Sequence, residues 1–271
     1  QDGSGIDNLS PMIVSRDRPQ RPTRIRNVTM SELKAYAVWD AGTRWFHWLN
    51  VLCVIGLMAV GLVILFGRDL GISGDGKVLL KTVHTLIGYV FALNLIWRFI
   101  WGFLGNQHAR WQSIKIKRGF IGTVRQYLAS IRAGRPEQYL GHNPLGRLSV
   151  VLLFALLATQ MVTGLVLAGT DLFFPPLGHW IAQWVAAPGI DPGLLVANAP
   201  QMYDSAAYES MREYRKIFGT IHVYGFYTLA VVIVMHIVAV VVTEIRSGSN
   251  IISAMFTGHK ILSERPQDEQ R

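Results

Sequence analysis

The chain holds a single cysteine, Cys53, among its 271 residues. That count excludes an internal disulfide and any cluster held by several thiolates; a lone cysteine in an apolar run packs as a small hydrophobe. Charge is scarce as well: 16% of the residues are charged, 51% are hydrophobic, and mean hydropathy is +0.30. Soluble domains carry roughly a quarter charged residues, so this composition places the chain among integral membrane proteins. No internal repeat or low-complexity tract is present, and residues 1–30 contain no hydrophobic run of the signal-peptide kind.

Against that background four long apolar stretches stand out: Trp45–Phe66, Val83–Leu104, Leu148–Gly169 and Ile217–Val242. Each is near or above the roughly 20 residues that a 30 Å hydrocarbon layer requires. Backbone groups in lipid need internal hydrogen bonds, so these stretches must be helices. The expected fold class is all-α, a four-helix transmembrane bundle with short interfacial helices.

Acidic residues are the rarer sign, 17 against 26 Lys and Arg, which leaves a net charge of +9. Twenty of the 26 cations lie before the first span, between the second and third, or after the fourth. The other two links share six: Arg68, Lys77, Lys81, Arg212, Arg215 and Lys216. This asymmetry is a positive-inside signal that puts both termini in the cytoplasm. The excess charge therefore reads as topology and contact with anionic membrane lipids, with no nucleic acid as partner. Residues 1–37 read as a basic arm, disordered or lying on the surface; 38–260 form the membrane domain; 261–271 are a polar cytoplasmic tail.

Two links carry helical patterns of their own. In IKRGFIGTVRQYLASIRAG the apolar Phe120, Ile121, Val124, Leu128 and Ile131 alternate with arginines, which predicts an amphipathic surface helix closed by Gly134 and Pro136. In FFPPLGHWIAQWVAAPG a short outer helix would set Trp180 and Trp184 at headgroup level. The mixed-charge stretch ANAPQMYDSAAYESMREYRK is expected to face a partner or solvent.

The residues that carry chemistry are histidines. His222 and His236 stand fourteen apart inside one apolar helix. Fourteen residues advance a helix by about 21 Å and return to within roughly 40° of the same face. Two imidazoles thus point one way at two depths of a membrane, where a histidine has little other reason to be. His47 lies near the inner end of the first span and His84 near the outer end of the second, so depth pairs His84 with His222 and His47 with His236. Two bis-histidine haems b, one per leaflet, use all four with none left over. Taken singly, His47 or His84 would more often be an interfacial residue; the depth-matched pairs make packing alone a poor account. His108, His142, His179 and His259 fall in links or tail.

Haem propionates need cations near the membrane faces. Arg44, one turn before His47, suits the inner haem and Lys81, three before His84, the outer one; Arg98 and Arg147 are further inner candidates. Snorkelling to lipid phosphate is the ordinary use of such residues. Gly88, Gly225, Gly56 and Gly61 follow the histidines closely, which suits close approach of a macrocycle or, equally, ordinary small-residue helix packing.

At this point the chain resembles the bacterial four-helix di-haem cytochrome b family, especially the cytochrome b subunit of membrane-bound nickel-iron hydrogenases. The resemblance rests on Val38, Trp39, Arg44-x-x-His47-Trp48, His84 with Gly88, Gly105-Asn106 and Gly141-His142-Asn143-Pro144. It continues through the thirteen residues between His222 and His236 to Glu244, Ile252-Ser253, Met255 and Gly258, covering roughly Tyr36 to Lys260. It implies that His47, His84, His222 and His236 ligate two haems b. It also implies that the protein, in a bacterial inner membrane, carries electrons between a periplasmic redox partner docked on the outer face and membrane quinone. Two departures stand out: Gly219 occupies a position where some hydrogenase subunits have a further histidine, and the outer link and amino-terminal arm are long.

Quinone chemistry moves protons, so a carboxylate or imidazole is needed near the quinone; His108, His142 and Glu244 are the inner candidates. No residue is expected to be catalytic on its own account. A competing reading is a free-standing superoxide:quinone oxidoreductase of the same fold, kept open by Lys77, Lys81 and Arg215 near the outer haem. A haem-free transporter would need a polar path at mid-membrane, for which Asn94, Thr159 and Gln160 are too few.

Overall fold

The computed structural model of the chain describes residues 33–269; the basic arm expected over residues 1–37 lies outside it up to residue 32. From the amino-terminal side, strand β1 (Lys34–Ala37) leads into α1 (Ala41–Leu65) and α2 (Gly74–Leu104). A one-turn helix, α3 (Trp111–Ile114), and the amphipathic α4 (Phe120–Arg132) precede α5 (Pro144–Leu172). Then come α6 (Gly178–Val185), two 3-10 turns, α7 (Ser205–Ser247), α8 (Ile251–Thr257) and β2 (His259–Leu262). Helices α1, α2, α5 and α7 are long and apolar enough to cross a membrane, so the fold is an all-α transmembrane bundle with one minor two-stranded ladder.

Each spanning helix starts where a short polar side chain satisfies an orphan amide. Asp40 accepts from Thr43 N at 2.7 Å, Ser73 from Gly76 N at 3.1 Å, Asn143 from Gly146 N at 2.7 Å, and Asp204 from Ala207 N at 2.9 Å. These caps explain why the helices outrun the apolar stretches. Helix α2 begins at Gly74 rather than Val83, and α7 runs from Ser205 to Ser247 rather than from Ile217 to Val242. Hydropathy marks only the part of a helix inside lipid, whereas backbone hydrogen bonding continues to the next cap.

Helix α1 packs on α2, α5 on α7, and α2 on α5. Phe46, Cys53, Val54, Phe91, Leu95, Leu157 and Leu229 form the shared core. Many large apolar side chains, among them Leu52, Leu93, Phe99, Val231 and Met235, point outward. In water that surface would be untenable; in acyl chains it costs nothing.

The two ends of the bundle differ. We call the end carrying β1, β2 and the link from α2 to α5 the terminal end, and the opposite one the far end. At the far end α6 and the first turns of α7 enclose a small core of Ile181, Val185, Leu195, Tyr203 and Met211. The stretch expected to face a partner or solvent is therefore partly inside this cap: Met211 is 1% exposed. Trp180 and Trp184 stay exposed on α6, as an interfacial helix requires.

At the terminal end β1 and β2 pair antiparallel, Lys34 opposite Leu262 and Ala37 opposite His259. Residues after 260, read above as a polar tail, clamp the approach to α5. Asp268 accepts from the amides of Leu140 and Gly141 at 2.6 and 2.9 Å, and Gln138 Oε1 accepts from Ser263 N and Glu264 N. The buried Lys260 ammonium donates to the Tyr139 carbonyl at 2.6 Å. Burial pushes that amine down to about 8, with Asp268 opposing the shift.

Candidate functional site

Helices α2 and α7 do not pack closely on one another, and in the far half of the bundle a mostly apolar cleft lies between them, walled by α1 and α5. His84 enters it from α2 and His222 from α7, with ring centres 6.3 Å apart at 74° to one another. A metal–imidazole bond is about 2.0 Å and the bonded nitrogen stands roughly 1.1 Å from its ring centre, so rings on opposite sides of one ion have centres about 6.2 Å apart. The observed spacing fits one iron between two axial imidazoles.

Hydrogen bonding prepares His222 for that role. Thr163 on α5 has its hydroxyl 2.7 Å from the Thr159 carbonyl and 2.8 Å from His222 Nδ1. A hydroxyl has one proton. Donating it back to Thr159, Thr163 accepts from Nδ1–H, which leaves the lone pair on Nε2. This is the tautomer a metal needs, held by an outer partner. Were His222 to hold a haem iron, Thr163→Val should cut its retention by about 10- to 100-fold, measured as haem lost on dilution in detergent. Unchanged retention would mean that the contact is incidental.

Glycines on neighbouring helices make room for both rings. A Cβ on Gly61 of α1 would stand 3.2 Å from His84 Cε1, and one on Gly164 of α5 would stand 3.4 Å from His222 Cε1. The remaining glycines divide between the two uses open in the sequence. Gly88 lines the cleft, whereas Gly56 packs on Ile87. Gly225 gives way to the Gln160 amide, which donates to the His222 carbonyl at 3.0 Å and ties α5 to α7.

At the mouth of the cleft Asp171, with 12% of its side chain exposed, binds two cations at once. Lys81 Nζ lies 2.7 Å from Oδ2, and Arg215 forms a two-pronged contact with both carboxylate oxygens. Lys81, expected at a propionate, is thus one member of a triad carrying a net single positive charge. The sequence reading missed Asp171 because the third apolar stretch stopped at Gly169; an acid in a membrane helix is itself a functional signal. Thr163 and Gly164 gave no signal beyond a polar–small pair in an apolar run.

His47 on α1, toward the terminal end, shares an oddity with His84 of the far half. The Nδ1 of each is buried without a hydrogen-bond partner among the described residues, so hydrogen bonding does not account for its position. His236 lies on the same face of α7 as His222, about 21 Å along. Of the cations expected nearby, Arg44 donates to the Trp39 carbonyl at 3.3 Å and packs on Gly258, where φ of +83° favours glycine. Arg98 is buried, donates to the Ala109 carbonyl at 2.9 Å, and sits 5.1–5.8 Å from the ring centres of Phe46, Trp111 and Phe154. It braces aromatic packing. Arg147 donates to the His142 carbonyl at 3.2 Å.

The proton-path candidates are dissimilar. His108 and His142 flank Trp39, their ring centres 6.5 and 5.0 Å from it. Burial lowers both imidazoles, His142 to about 3 with help from the positive charges of Lys260, Arg147 and Arg98. Each is therefore neutral at neutral pH; His108 Nε2 accepts from the Gln107 amide at 3.1 Å, whereas His142 Nδ1 has no partner among the described residues. Glu244 Oε2 instead accepts from Ile252 N at 2.6 Å, a bond at the start of α8.

The family described as prokaryotic cytochrome b561 matches residues 38–258. A protein of Rhizobium leguminosarum bv. viciae named "Probable Ni/Fe-hydrogenase B-type cytochrome subunit" is 27% identical over 252 residues, covering 86% of this chain and 92% of its own. A protein of Cupriavidus necator with the same name is 23% identical over 250 residues, covering 86% and 89%. One from Escherichia coli K12, named "Probable Ni/Fe-hydrogenase 1 B-type cytochrome subunit", is 30% identical over 151 residues, covering 49% and 60%. The family match runs from the residues just before α1 to those just after α8 and takes in all four spans with their histidines, and the chain belongs to the prokaryotic cytochrome b561 family.

Proposed function

We propose that this membrane cytochrome b passes electrons across a bacterial inner membrane through two haems b, between a redox partner on the periplasmic side and the quinone pool. His84 and His222 ligate the far-end haem, His47 and His236 the terminal-end haem. The observation that carries the proposal is the 6.3 Å spacing of His84 and His222, with Thr163 Oγ1 2.8 Å from His222 Nδ1. Haem b, when bound, supplies a one-electron carrier at each depth.

The chain's own residues do the rest. Helix α7 sets the separation of the two sites at about 21 Å through the spacing of its histidines. Lys81 and Arg215, steadied by Asp171, hold propionates at the far mouth; Arg44, with Arg98 and Arg147 behind it, supplies positive charge at the other. His108 and His142, buried and neutral, would serve a quinone or quinol at the terminal end as hydrogen-bonding groups, since burial opposes their taking up a proton. The concentration of cations on the links at that end supports a cytoplasmic orientation for it. The packed far-end cap of α6 and the start of α7, with Trp180 and Trp184 exposed, would then meet a hydrogenase or c-type cytochrome in the periplasm.

The same triad leaves one unneutralised positive charge at the cleft mouth, which favours a second reading, superoxide oxidation by the chain alone. Purification in mild detergent separates the two. The first expects a b-type reduced-minus-oxidised spectrum, two haems per chain and a co-purifying iron–sulfur or c-type subunit. A chain that arrives alone and is reduced rapidly by superoxide supports the second, and one without a b-type spectrum defeats both.

A further inference from the structure

We infer that the terminal end carries a site for the phosphate of an anionic phospholipid, between the start of α4 and the start of α5. A cavity of about 190 Å³ there is lined by Lys117, Arg118, Thr123, Tyr139 and Arg147. Three cations converge on it, yet none of the three has a carboxylate within 4 Å among the described residues. Like charges gathered round one space repel unless an anion joins them. The opening of α4 adds its own attraction: Gly119, at φ of +82°, precedes the helix and contributes no side-chain cap, so although Phe120 N donates to the Lys117 carbonyl, the amides of Ile121 and Gly122 remain available. Thr123 Oγ1 has only a 3.5 Å contact with the Gly119 carbonyl and can donate to a phosphate oxygen.

The surroundings select a lipid over free phosphate. Ile121, beside the cavity on α4, is 70% exposed, and Leu145 and Leu148, flanking Arg147 on α5, are exposed too. Acyl chains attached to a phosphate seated in the cavity would cover this apolar rim, which an inorganic ion would leave bare. Basic pockets of this kind beside membrane helices suit anionic headgroups.

Native mass spectrometry of the full chain in mild detergent tests the assignment, with phosphatidylglycerol and phosphatidylethanolamine as the two probes. The phosphatidylglycerol adduct should exceed the phosphatidylethanolamine adduct about tenfold or more, and K117Q/R118Q should remove that preference. A second double variant, R132Q/R135Q, removes the same charge beyond the cavity and should keep the preference; an unchanged haem spectrum in both variants checks folding. Millimolar inorganic phosphate should leave the adduct in place. Equal binding of the two lipids, survival of the preference in K117Q/R118Q, or complete displacement by inorganic phosphate would each overturn the proposal, the last by making this a site for the free ion.

Discussion

His236→Ala should lower the haem b content from two per chain to one, His222→Ala should do the same, and the double variant should retain none. The reason lies in how one helix serves both sites. In the proposed arrangement helix α7 would supply one ligand to each pair, and His84 and His47 the others from α2 and α1. Removing one imidazole leaves its iron with a single protein ligand while the other pair keeps both. The two single variants should also be distinguishable. His222→Ala would delete a component held in the cleft lined by Lys81, Asp171 and Arg215, and His236→Ala one at the terminal end. A pyridine haemochrome assay gives the stoichiometry, and a potentiometric titration of the optical band shows which component has gone. A His236→Ala preparation with two haems per chain would falsify the pairing.

Asp40→Ala should be the most destabilising single change at the terminal end. The Asp40 carboxylate caps α1 through Thr43 N, accepts from the Trp101 indole of α2 at 3.0 Å, and accepts from Asn106 N at 3.1 Å. Asn106 in turn donates to the Val38 carbonyl at 2.7 Å and accepts from His108 N and Ala109 N. Loss of a cap costs about 0.5–2 kcal/mol, and an orphaned indole or amide adds about 1–3 kcal/mol. The sum is about 1.5–5 kcal/mol, a large share of ordinary stability, and should appear as a lower Tm in detergent. The pH dependence has a definite sign. Burial raises the Asp40 carboxyl, but hydrogen bonds from Thr43, Asn106 and Trp101 outweigh it and hold the group below its ordinary value. Its contribution is therefore present above the unfolded carboxyl pKa and is lost as pH falls through the folded one. Asp40→Asn keeps an acceptor but should flatten this acid limb; a Tm that falls as steeply in acid as wild type would place the titrating group elsewhere.

How much of this was legible in advance depends on the range of the interactions concerned. The four spans follow from apolar length, and the shared face of His222 and His236 follows from the helical repeat. The amphipathic α4 and the interfacial α6 were also readable from local pattern, although Tyr127, at 2% exposure the residue most buried in α4, was not among the apolar positions singled out. The caps were present as Asp40, Ser73, Asn143 and Asp204, yet without a reason to trust a polar residue over a hydropathy window the helix starts were drawn too late.

Asp171 shows where local pattern fails. Its partners Lys81 and Arg215 lie 90 and 44 residues away, and nothing in the sequence says that three different helices bring them to one point. Arg98 makes the same case from the other side: it looked like a free cation near a membrane face and is instead enclosed by Phe46, Trp111 and Phe154.

The amino-acid order alone determined that this chain has four helices long and apolar enough to cross a membrane, and how His222 and His236 are spaced along one face of the last of them, because hydrophobic length and the 3.6-residue repeat are properties of a segment by itself. Only the tertiary structure decided that Thr163 orients His222, that Gly61 and Gly164 make room for the rings, and that the last residues clamp the entrance to α5. Those contacts depend on which helix faces which, and that choice is made by packing across the whole bundle.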